Sequence, residues 1–212
     1  MATVLSFDSL NRLDHENRRS EDYDEYFSGM GLTDKQKEER ISLAEDFEDV
    51  FWPVLVYLYS LLPFGLLDAD TAREQFLEAF ISVVVTANLA DEYLEEYAQK
   101  FADEVAKSTV DHTDDPYYFS LDRAMYLSEN ESESAYNHDE FEQAMLSGKR
   151  HKRWIDMRDN RVRETHRKVH GSEIPIQEPF LVGDSLLMYP KDTSLGASPE
   201  EIVNCRCTVQ YF

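Results

Sequence analysis

Apolar residues recur at three- and four-residue spacing from Ile41 to Leu146, and at Gly148 that pattern stops. The period of the apolar pattern decides which element a segment can form, so this change constrains the fold more than any other feature. Ahead of Gly148 the chain is expected to build helices that bury their stripes against one another. Beyond it only short pieces remain and proline becomes frequent, which suits a small mixed unit. The expected fold class is α+β: a mainly α-helical N-terminal region with a small C-terminal α+β domain containing a short antiparallel sheet.

The stripes place four helices. Thr33-Asp34 offers an N-cap for the first, which carries Ile41, Leu43, Ala44, Phe47, Val50, Phe51 and Val54 and becomes apolar nearly all round by Leu61. Pro53 is expected to kink or split it. The second runs from Asp68 to about Asn88, and the third from Ala90 to about Ser108 with a Tyr93, Tyr97, Phe101, Val105 stripe. The fourth runs from about Phe119 to Ser147, with Glu129, Glu131 and Glu133 expected on a solvated face. Residues 1–33 read as a flexible acidic arm, with Tyr23, Tyr26 and Phe27 as anchors should it order on a partner. Residues 34–148 form the acidic helical region, and residues 149–212 the small α+β domain. Within that domain, strands are expected at Arg153–Asp156, Ile174–Ile176, Leu186–Met188 and Cys207–Phe212, and a helix at Arg161–Val169.

Charge divides at the same point. Residues 1–148 carry 34 acidic and 10 basic side chains, whereas residues 149–212 carry 9 and 11. Such an acidic region repels a phosphate backbone. Any DNA contact would fall on Lys149–Arg153, although a positively charged linker folded against the acidic helices is the favoured reading of that run. No stretch of 18 or more apolar residues is present, so no membrane span is expected. Met1–Glu16 lacks a basic n-region followed by an apolar one, so no secretory signal is expected. The two cysteines, Cys205 and Cys207, are too close in sequence to pair comfortably, which suits a reducing compartment.

The last sixty residues collect Asp156, Asp159, His166, His170, Asp192, Cys205 and Cys207. Imidazole and thiolate are the donors that zinc prefers, and a small domain with little core gains from such a clip. A hydrogen-bonded polar core with two buried thiols needs no metal, and the residues alone leave both readings open.

The run Lys152-Arg153-Trp154, then Asp159-Asn160-Arg161-Val162-Arg163-Glu164-Thr165-His166 and Gly171, resembles the core motif of the phage minor head family, also described as Mu-F-like or head-morphogenesis proteins. Phe180, Leu187-Met188-Tyr189-Pro190-Lys191-Asp192 and Asn204-Cys205-Arg206-Cys207 continue the likeness in order. It covers roughly residues 117–212, loosely ahead of Gly148, while residues 1–116 carry no matching motif. The resemblance implies a minor head protein of a tailed bacteriophage, made in the host cytoplasm and housed in the head interior. Its implied partners are the portal and other capsid or scaffold proteins, it could form an oligomer, and it would assist head assembly or DNA packaging and delivery.

The resemblance implies no catalytic residue. It does imply zinc, because many relatives carry two cysteines where this chain has Arg163 and His166, and a His-Pro where it has Ile202-Val203. One ligand type is therefore exchanged and two are lost, leaving His166, Cys205 and Cys207. The remaining structural polar motif comprises Trp154, Asp159, Arg161, Arg163, His166, Asp192 and Asn204. Without metal, Arg161 and Arg163 would pair with Asp159 or Asp192, and His166 and Asn204 would hydrogen-bond the C-terminal strand. The enzymatic alternative is a small nuclease-like or toxin-related domain, with His166 as acid or base and Arg161 and Arg163 steadying phosphate charge.

Overall fold

A computed structural model describes residues 12–212. Five helices come first: α1 (Arg12–Phe27), α2 (Asp34–Leu61), α3 (Ala69–Thr86), α4 (Glu92–Asp111) and α5 (Leu121–Leu146). Four of them start where the sequence supplies an N-cap. The side chains of Thr33, Asp68, Asp91 and Ser120 each accept a hydrogen bond from the backbone N–H three residues on, satisfying a donor the helix cannot. Thr33 and Gln36 complete a reciprocal capping box. Gly148 ends the helical region at φ +76, a left-handed conformation open to glycine.

The helices bury a phenylalanine cluster. Phe47 and Phe51 of α2 lie with ring centroids 5.2 Å apart, and Phe101 of α4 sits 5.4 Å from Phe51 and 5.3 Å from Phe80 of α3. Each such ring contributes roughly 1.5–3 kcal/mol on leaving water. Helix α2 runs unbroken through Pro53, whose ring faces solvent, so the expected split does not occur. The hydrogen bond that the proline forfeits lies on the wet side of the helix, where water can replace it. Length and hydropathy alone would let the helical stretch Asp34–Phe64 cross a membrane. Its inner face, with Phe51, Leu55 and Leu58 fully buried, is instead the centre of this bundle.

The expected flexible arm is corrected where it is described; residues 1–11 lie outside the described residues. Helix α1 and the turn after it pack on α2 and bury Tyr23, Phe27 and Met30 completely or nearly so. The Tyr23 hydroxyl donates to Glu48 at 2.6 Å. The acidic composition of this segment masked a stripe in which Tyr23, Phe27 and Met30 recur at helical spacing. These anchors are satisfied by the chain's own body.

Beyond Gly148 the elements are short: β1 (His151–Ile155), α6 (Glu164–Val169), β2 (Glu173–Pro175), β3 (Phe180–Val182), β4 (Ser185–Leu187), α7 (Pro199–Ile202) and β5 (Thr208–Tyr211). Strand β1 is central in an antiparallel sheet of order β2-β1-β5, and β3 and β4 form a separate hairpin. The expected strands are present within two residues of their ends, whereas β3 and α7 were not anticipated. Helix α6 starts three residues late. Asp159 accepts from the Arg161 and Val162 N–H groups, folding that stretch into a turn rather than a first helical turn. A second core of Trp154, Phe180, Val182, Leu187 and Val209 lies under these elements.

Helix α5 joins the two parts, and here the expected solvated face is wrong. Glu131 and Glu133 are buried, along with Asn130, Asn137 and His138. This polar face receives the Tyr189–Lys191 segment. Asn137 donates to the Pro190 carbonyl (3.2 Å), and His138 Nδ1 meets the Tyr189 hydroxyl (2.9 Å). Lys191 Nζ donates to Asn130 Oδ1 (2.8 Å) and lies 3.4 Å from Glu133. Burial pushes both glutamates up to about 7, against the pull of Lys191. Gly148 is therefore a turn between segments that share an interior, not a seam between independent bodies.

Candidate metal centre

Three of the flagged side chains converge. His166, near the middle of α6, and Cys205 and Cys207, just ahead of β5, are all buried, and their donor atoms lie within 4.8 Å of one another. Helix α6 presents His166 on its inward face, and β5 is held in register by β1 through Trp154↔Val209 and Ile155↔Thr208. His166 Nδ1 is 3.3 Å from Cys207 Sγ and 3.5 Å from Cys205 Sγ. Tetrahedral zinc with bonds of about 2.3 Å to sulfur and 2.0–2.1 Å to nitrogen puts those atoms about 3.5 Å apart. The spacing fits a shared metal as well as a direct S–H to nitrogen contact.

The environment matches the donor set. His166 Nε2 lies 2.9 Å from Glu201 Oε2, which also accepts from the Thr165 hydroxyl at 2.7 Å. A carboxylate there holds the proton on Nε2 and aims the Nδ1 lone pair at the sulfurs, the outer-shell arrangement that orients metal-bound imidazoles. Gly183 makes room for this: a Cβ there would come within 2.4 Å of Glu201 Oε1. Burial resists a thiolate at Cys205, but hydrogen bonds from Cys207 and His166 hold its pKa well below the usual thiol value. Cys207 is pushed up, first by its hydrogen bond to Cys205 and then by burial. Burial opposes charge on His166, and the neighbouring Cys205 sulfur outweighs it, so its pKa is raised. The fully buried Trp154 lies edge-on to His166, and its indole N–H favours the Cys207 thiolate without closing a hydrogen bond of normal geometry.

The rest of the expected polar motif disperses. Asp192 accepts from the Met188 and Ser194 N–H groups and pairs with neither Arg161 nor Arg163. Asp159 pairs with Arg206 at 2.7 Å. Arg163 donates to the Val203 carbonyl, while Arg161 is exposed. Asn204 is exposed, at φ +55, and stays off the strand it was expected to bond. His170 faces Arg158 and the Asp156 N–H, away from the cluster. The basic run splits by strand alternation. Lys152 is buried under Phe141 and Phe180, donates to the Met188 carbonyl at 2.6 Å, and is lowered by burial to about 8. Arg153 pairs with Glu173.

Residues 88–210 match the family model described as Phage Mu protein F like protein. The chain belongs to this family. No curated protein and no solved structure matches it. Membership makes it a phage head-associated protein. The match begins between α3 and α4, and both later helices touch the C-terminal part: α5 receives Tyr189–Lys191, and Tyr93 of α4 meets the Thr193 hydroxyl at 3.4 Å. Glu201 and Lys191 were missed as site residues. Glu201 had a faint signal, a Ser-Pro-Glu-Glu helix start a few residues before the cysteines, whereas Lys191 had none outside its motif.

Proposed function

We propose that this chain is a minor head protein of a tailed phage that binds the portal and assists head assembly or DNA delivery. The observation that carries the reading is the Mu-F-like match spanning α4 to β5, a segment that folds as one interlocked unit against α5. Helices α3 and α4 expose Glu74, Glu78, Glu95 and Glu96, acidic groups suited to basic patches on other head proteins. Heads purified from the phage encoding this chain should contain it at low copy, and heads made without the portal should lack it. Its absence from wild-type heads would overturn the reading.

The cluster's part in this function is structural. His166, Cys205 and Cys207 would hold a zinc ion that fastens α6 to β5, supplying cross-linking rather than reaction chemistry. The nuclease alternative is disfavoured because His166 is buried with both ring nitrogens engaged and Arg161 points to solvent. Metal analysis should find about one zinc per chain; a value near zero would leave the cysteines as packing residues.

A further inference from the structure

We propose that the His166, Cys205, Cys207 cluster is an open coordination site, whose fourth position takes a small anion from outside the chain. The inference rests on the reading of the cluster as a metal centre. Among the described residues no fourth histidine, cysteine or carboxylate has a donor atom inside the cluster. Glu201 is committed to the far side of the His166 ring. Asn204, the residue beside Cys205, is turned to solvent. Sites that bind zinc through only three protein donors keep a position for water or another ligand.

That position has a place in the structure. A cavity of about 20 Å³ touches all three donors and opens between Arg161, Arg163 and Arg206. A single water needs roughly 10–15 Å³ in the same measure, so the space admits the coordinating atom of a small ligand whose remainder projects through the opening. Charge then selects the ligand. Two thiolates neutralise a divalent cation, which leaves the sign of the fourth ligand to its surroundings. Of the three guanidinium groups, that of Arg206 pairs directly with Asp159, and that of Arg161 lies in the field of Glu129 without a hydrogen bond to it. Arg163 spends one N–H on the neutral Val203 carbonyl, and the Arg161 side chain makes no hydrogen bond among the described residues. The guanidinium of Arg163, which has no carboxylate partner among the described residues, leaves the mouth of the pocket net positive, and this favours an anion.

Cobalt(II) reports both the metal and its open position. Full-length protein loaded with cobalt(II) is expected to show thiolate-to-cobalt charge-transfer absorption together with visible ligand-field bands. Sodium azide should shift the visible bands saturably while the thiolate absorption persists. Arg163→Gln should weaken the apparent azide affinity by roughly tenfold, and Arg161→Gln, at an exposed site that leaves folding intact, should weaken it in the same direction. Protein that takes up no cobalt overturns the metal reading and this inference with it. Cobalt bound through thiolates with visible bands unmoved by azide overturns the open position alone. Azide affinity unchanged by both substitutions overturns the part assigned to the guanidinium groups.

Discussion

Replacing Glu131 with glutamine tests the buried face of α5. The carboxyl is desolvated, receives the Tyr97 hydroxyl at 2.8 Å and sits near 7 in the folded chain, against an ordinary 4.5. A carboxyl whose pKa rises on folding binds its proton more tightly in the native state. Its contribution to stability therefore falls as pH rises from about 4.5 to about 7 and levels off above that. One such group costs about 2 kcal/mol between pH 5.5 and pH 8, at about 1.4 kcal/mol per tenfold change in proton binding. Glutamine keeps an acceptor for Tyr97 and cannot ionise. Urea denaturation at pH 5.5 and pH 8 should show the wild type losing about 2 kcal/mol more than Glu131→Gln over that interval, with the variant the more stable protein at pH 8. General repulsion among the many other acidic groups affects both proteins alike, so the difference isolates Glu131. Parallel pH profiles, or a variant weaker than wild type at pH 8, would refute the account of a buried carboxyl that holds its proton more tightly in the folded chain.

Phe27→Ala should cost about 3–5 kcal/mol in the same assay, since Phe27 is buried beneath α1; a dispensable arm would give no change. Gly183→Ala should lower Tm, because a φ of +60 costs a non-glycine residue about 1–3 kcal/mol and its Cβ would also meet Glu201, and metal content should fall with it. A strong chelator should lower the Tm of metal-loaded protein and leave a Cys205→Ser, Cys207→Ser variant unmoved, as calorimetry would show.

The helices were legible because their stripes and first caps are local: Thr33 stands beside the run it starts, and Asp68 opens the second. The convergence of His166 with Cys205 and Cys207 was legible through donor chemistry and the family resemblance. What stayed hidden depends on partners distant in sequence. Glu131 and Glu133 look like solvent-facing glutamates until Lys191, some sixty residues on, is seen against the same face. Asp192 looked like an arginine partner, but its own loop needed two N–H groups satisfied first. Helix α1 was read from composition, and acidic residues outnumbered the few apolar ones that decide whether a segment packs.

The most direct test of the central claim is co-expression of the full chain with the portal protein of its own phage, followed by size-exclusion chromatography with mass measurement. The account predicts a defined complex of fixed stoichiometry that weakens as salt is raised, with charge reversal at Glu95 and Glu96 reducing it. Separate elution of the two proteins at low salt would contradict it.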